Sequence, residues 1–200
     1  MTGAEFSLYV KAKLNRLDTS SWEDVRTEEI LFFGRDALKR LSLRYDAGTV
    51  PIYLQGSLMN LYLSSITETT ILNLTNGSAL LTSVLKIKDT KVQVKVGNEL
   101  RYVPTRELAT QDLSFITNSP LSKSFPDKPI YYLSQNSITF VEDGFSCEKV
   151  EIKFIKFPAE ILENSILDIP FTMELQDETV KLILENLESR RIQTQPAIVS

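Results

Sequence analysis

The apolar residues of this chain change their spacing twice, and that pattern constrains the fold more than any other feature. Near the start Phe6, Val10, Leu14 and Leu17 recur at helical intervals, with Tyr9 beside them. After the small polar stretch "LDTSSWED", Ile30, Phe33, Ala37, Leu38 and Leu41 form a second stripe. Thr27 suits the N-cap of this second helix, since Glu28 and Glu29 stand in its first turn, where unpaired amides favour negative charge. Lys39, Arg40 and Arg44 load its far end.

From about residue 50 the period becomes two. In "VQVKVGNELRYV", Val92, Val94 and Val96 alternate with Gln93 and Lys95, and the chain turns at Gly97-Asn98 into Leu100 and Tyr102. That is a half-buried antiparallel hairpin. In "TETTILNLTNGSALL", strand-forming residues flank Asn76-Gly77, a pair that accepts the positive φ angles of a tight hairpin turn. The preceding "QGSLMNLYLSSI" fits either period, and it is read as a strand. Asp143-Gly144 marks another turn, and Val150, Ile152 and Phe154 alternate with Glu151 and Lys153. Between these strand regions, residues 104–129 carry Pro104, Pro120, Pro126 and Pro129. Proline lacks a donor and restricts its predecessor, so an extended, irregular arm is expected there.

Helical spacing returns at the end. Val180, Ile183, Leu184 and Leu187 share one face of a helix expected over 172–193, with Asp177 and Glu178 in its first turn and Arg190 and Arg191 in its last. The order of elements (helices over 1–46, strands over 50–103, the arm, strands over 130–157, a final helix) predicts a single α+β domain. Its centre is an antiparallel β-sheet or sandwich. A chain of 200 residues can bury roughly 70% of its unfolded surface, enough for such a core.

Composition narrows the chemistry. Histidine is absent, which removes the Ser-His-Asp and Cys-His nucleophile arrangements and histidine zinc sites. Cys147 is the single cysteine, so no intramolecular disulfide or multi-cysteine metal site can form. No glycine-rich phosphate loop occurs, and no serine or threonine has an identifiable base. No catalytic residue, cofactor or metal ligand is therefore assigned. Glu23, Asp24, Glu28 and Glu29 are read as helix-start acids rather than cation ligands, and Val141 to Gly144 as a turn.

Net charge is −4, so a non-specific DNA binder is not expected. Residues 151–200 hold 5 basic against 9 acidic side chains, a difference equal to that of the whole protein. Lys11, Lys13 and Arg16, and the run Lys86, Lys88, Lys91 and Lys95, read as solvated faces, with Lys88 and Lys91 placed to guard a sheet edge. No apolar run approaches the roughly 20 residues of a membrane span, and the start lacks the order of a signal peptide. No membrane partner is expected, and the protein should remain in the compartment where it is made. Asn73 and Asn76, which fit the glycosylation pattern, are then read as turn residues.

Several stretches together resemble the ring or neck proteins that stack beneath the portal in crAss-like tailed bacteriophages. They are "EFSLYVKAKLNRLD" with "TEEILFFGRDALKRLSLRYD", the arm "DLSFITNSPLSKSFPDKPIYYL", the strand "VEIKFIKFPAEI", and the ending "IPFTMELQDETVKLILENLESRRIQTQ" with its Glu188-Ser189-Arg190-Arg191-Ile192-Gln193 finish. The resemblance implies a head-to-tail connector without enzymatic activity. It implies a homo-oligomer, a dodecameric ring on the portal axis, with the portal protein and neighbouring ring or tail proteins as partners. The genome DNA would pass through without specific binding. The location implied is the virion neck or tail, and the host cytoplasm during assembly. Subunit contacts are expected from the arm, at Pro120, Leu121, Phe125, Pro126 and Pro129, and from Arg190 and Arg191. The competing readings are an assembly chaperone or accessory binding module, and a hydrolase using two carboxylates about 5 to 9.5 Å apart.

Overall fold

The computed structural model describes residues 1–17, 25–49, 57–109 and 123–194, with side chains at 57–59 and 190–194 outside the description. The fold is α+β. The chain forms two compact units where the sequence reads as one domain: residues 1–64 with 158–200, and residues 65–157. Each has its own buried apolar cluster.

The first unit holds α1 (Gly3–Leu17), α2 (Thr27–Asp46), nearly all of α3 (Ser57–Ile66), and α4 (Thr172–Thr194). Phe6, Val10 and Leu14 of α1 meet Ile30, Ala37, Leu38 and Leu41 of α2 and Leu175, Leu182 and Ile183 of α4. The stripe of α1 is therefore right through Leu14, but Leu17 and Tyr9 are exposed. Three ion pairs fasten the rim: Lys13 to Asp177 at 2.7 Å, Arg44 to Glu178 at 3.5 Å and Arg40 to Glu185 at 3.7 Å. Asp177 and Glu178 lie beyond the first turn of α4, whose early acid is Glu174. They serve these cross-helix pairs rather than the dipole.

The start of α2 differs from expectation. Residue 26, not Thr27, caps α2, without a side-chain bond. The Thr27 hydroxyl instead accepts from Lys11 Nζ at 3.3 Å. The reciprocal capping box is at α1, where the Thr2 amide donates to Glu5 Oε2 at 2.7 Å and the Glu5 amide to Thr2 Oγ1 at 3.2 Å.

Residues 57–66 are helical, not extended. Leucine and methionine dominate there, and the β-branched run begins only at Ile66 and Thr67. Packing then settles the choice: the Tyr62 ring stands edge-on to Phe171, with centroids 4.8 Å apart, and its hydroxyl lies 3.1 Å from Ser42 Oγ.

The second unit is a β-sandwich. Its strands are β1 (Thr67–Asn73), β2 (Ser78–Leu80), β3 (Val84–Val96), β4 (Glu99–Pro104), β5 (Arg106–Leu108), β6 (Ile130–Ser134), β7 (Ser137–Val141) and β8 (Ser146–Lys156). One sheet runs β1-β8-β3-β4 and the other β2-β7-β6-β5. Val92, Val94, Val103, Val150, Ile152 and Phe154 of the first face Ala79, Tyr131, Ile138 and Phe140 of the second. The β3–β4 hairpin forms as read, turning at Gly97 with φ of 60°. Val96, Leu100 and Tyr102 are exposed, however, and Val103 supplies the inward residue of β4.

Asn76 and Gly77 take φ of 50° and 70°, the turn their residue types favour. The strands they join part company, because β1 pairs with β8 and β2 with β7. Gly144 makes a second such corner between β7 and β8.

The arm is not wholly irregular. Residues 106–108 pair in parallel with β6, and the Arg106 amide donates to the Pro129 carbonyl at 2.9 Å. The prolines permit this because Pro104 ends β4 and Pro129 precedes β6, so neither interrupts a ladder.

Candidate functional site

Helix α2 carries a second stripe besides its core face. Glu28, Leu31, Phe32 and Arg35 recur at i, i+3, i+4 and i+7 and form one wall of a groove of about 410 Å³. Residues 160–163 form the other wall. Ile161 and Leu31 are buried at its floor, while Phe32 and Leu162 stand at its lips, 67% and 56% exposed. Glu28, Glu160 and Glu163 rim it, with one cation, Arg35, 3.6 Å from Glu160. The rim is therefore net negative around an apolar centre.

The second wall is held firmly. Arg35 Nε donates to the Pro158 carbonyl at 2.9 Å, and the Ala4 amide to the Glu163 carbonyl at 2.9 Å. The Gly3 amide donates to the Ser165 carbonyl at 2.9 Å, and the Leu162 amide to Ser165 Oγ at 2.9 Å. Gly3 is required for this approach, because a Cβ there would run into the Leu162 carbonyl oxygen. The sequence reading placed Phe33 on the core face and passed over Phe32. The 28, 31, 32, 35 spacing was the signal that could have marked it.

On the second unit, the end of the arm forms a tight turn. The Lys128 amide donates to the Phe125 carbonyl at 3.0 Å, and Pro126 fixes the backbone between them. Ser124 Oγ, buried, accepts from the Ile130 amide at 3.1 Å. Asp127 pairs with Arg101, and Lys123 with Asp143 at 3.5 Å. Phe125 is 53% exposed at the head of this anchored turn, between Lys123 and Lys128.

Of the seven expected contact residues, Phe125 and Pro126 thus stand on an outward turn. Pro129 is buried within the chain, which leaves its side chain little surface to present. Arg190 and Arg191 fall in the last turns of α4, with their side chains outside the described residues. Pro120 and Leu121 also lie outside the described residues, as do Glu23 and Asp24.

A cavity of about 280 Å³ opens in the sandwich beside β1 and the end of β8. Its one carboxylate, Glu68, is ion-paired with Lys156. A two-carboxylate hydrolytic arrangement has no second acid in that lining. Cys147 is buried, and its thiol is pushed up to about 12, first by burial and then by the Glu142 carboxylate. Burial likewise raises the Tyr62 and Tyr131 hydroxyls. Tyr131 is tied within the sandwich to Thr90 and Glu107, at 3.3 and 3.4 Å. Among the described residues no group of acids or cysteine is placed to hold a metal ion.

Lys91, Lys95, Lys149 and Lys153 are exposed on β3 and the adjoining β8. Lys91 cannot guard an edge, since β3 is paired there on both sides, with Pro104 and Glu151. Lys88 lies on the part of β3 that has only β8 beside it. No described helix is long and apolar enough to cross a membrane. Compared with protein-family models and with curated proteins, the chain matches none.

Proposed function

We propose that this chain is a virion structural protein: a subunit of a ring in the neck or tail of a tailed phage, joining the portal to the tail. The observation that carries the reading is the pair of unlike contact surfaces. An acid-rimmed apolar groove lies on one compact unit and a lysine-flanked phenylalanine turn on the other. A ring is built from heterologous contacts, in which each subunit offers two different patches and rotation closes the circle. Large apolar side chains held in the open on ordered elements mark such patches.

The function is mechanical, giving symmetric contacts and part of a sealed DNA conduit. The residue types support that role: with no histidine and a buried thiol, the chain lacks the Ser-His and Cys-His pairs that activate a nucleophile near neutral pH. Its net charge of −4 suits a surface that DNA passes without sticking.

The test is quantitative peptide mass spectrometry on purified particles of the source phage, scoring copies of this chain against the portal protein. Near-equal copies are expected. Absence from the finished particle would overturn the reading in favour of an assembly chaperone.

A further inference from the structure

We propose that the Phe125 turn of one copy docks into the groove between α2 and residues 160–163 of the next copy, as the repeating contact of the ring. The inference rests on the ring reading above and names the surfaces that meet. The chemistry of the two is complementary. The groove has an apolar floor, Leu31 and Ile161, apolar lips, Phe32 and Leu162, and a rim where three carboxylates outnumber one guanidinium. The turn presents an aromatic ring flanked by Lys123 and Lys128.

A buried aromatic anchor with charged groups at its margin is the usual composition of an interface hot spot. Phe125 is also pre-positioned. The bond across the turn, Pro126, the Ser124 hydroxyl and the Asp127–Arg101 pair hold it on the sandwich, so little freedom is lost on docking. The groove wall is fixed in the same way by the amides of Gly3 and Ala4. Lys128 is then placed to meet Glu163 or Glu28 at the rim.

The occupant is a second copy because each chain carries both kinds of patch. An identical patch meeting itself would put lysines on lysines or carboxylates on carboxylates.

The test mixes full-length Lys128→Cys chains with Glu163→Cys chains under a mild oxidant, which keeps Phe125 and the apolar groove in place. Both sites are exposed, so folding should survive, and the native thiol is buried. A disulfide-linked heterodimer is expected at about tenfold the yield of a mixture of Lys128→Cys with Leu80→Cys, because docking raises the local concentration. Equal yields, or linkage of Lys128→Cys chains to one another alone, would overturn the proposal.

A second measurement does not depend on cysteine. Lys128→Glu and Glu163→Lys should each weaken self-association, and together restore at least part of it; additive weakening speaks against the contact. An oligomer that persists without the cross-link overturns this docking and leaves the ring reading standing. A chain that is monomeric at every concentration and absent from particles removes both.

Discussion

Gly34, in the middle of α2, tests how the helical unit is packed. Glycine in a helix interior costs about 1 kcal/mol relative to alanine, so Gly34→Ala would stabilise an isolated helix. Here an added Cβ would lie 2.8 Å from Phe6 Cε1, 3.3 Å from its Cζ and 3.5 Å from Ile161 Cδ1. Carbon atoms prefer separations of about 3.5–4.0 Å, and Phe6 is fully buried with little room to yield. Overpacking of this kind costs about 1–3 kcal/mol. The two effects leave Gly34→Ala destabilising by about 1 kcal/mol. The sign should reverse once the ring is gone. In a Phe6→Leu background the far ring atoms are absent, and Gly34→Ala should then stabilise by about 0.5–1 kcal/mol. Urea unfolding followed by circular dichroism at the helical band reads this unit, which holds α1, α2 and α4. If Gly34→Ala raises the midpoint equally in both backgrounds, the ring does not rest against the helix backbone and the packing described is wrong.

Three further outcomes are expected. Gly3→Ala should destabilise by about 3 kcal/mol, because its Cβ meets backbone rather than a movable side chain, and hydrogen exchange at the Ala4 and Leu162 amides should rise with it. With its thiol pushed up to about 12, against an ordinary 9.0, Cys147 should react with iodoacetamide about a thousandfold more slowly in the native protein than in urea. Native labelling at the denatured rate would contradict that burial. Glu5 is held below the usual carboxylate range, chiefly by the Thr2 amide. Its contribution is present above the unfolded value and is lost as pH falls through the folded one, so Glu5→Gln should lower the melting temperature near neutrality, and the gap to wild type should close as the carboxylate is titrated by acid. A difference unchanged by pH would refute the capping role.

The candidate surfaces were only half legible in the sequence. Phe125 and Pro126 stand out because a proline-flanked aromatic in a polar arm has no core to join. Phe32 and Leu162 do not, since their exposure depends on which face of α2 the core takes and on where residues 160–163 are tied. Pro129 reads like its neighbours but is buried where β6 begins, with its carbonyl accepting from the Arg106 amide of β5.

What the sequence determined by itself is local. The 3.6-residue stripes of α1, α2 and α4 and the alternation of Val92 and Val94, and of Val150, Ile152 and Phe154, each specify an element and its inner face. Asn76-Gly77, Gly97 and Gly144 specify turns, because their residue types accept positive φ. The tertiary structure alone decided what those elements meet. Alternation states which side of a strand is apolar but not which strand lies beside it, so the parting of β1 from β2, and of β7 from β8, into two sheets could not be read. The short run at 57–66 satisfied both periods until Tyr62 met Phe171 and Ser42. Two separate cores, and so two compact units, follow from contacts between residues far apart in the chain, which no local spacing encodes.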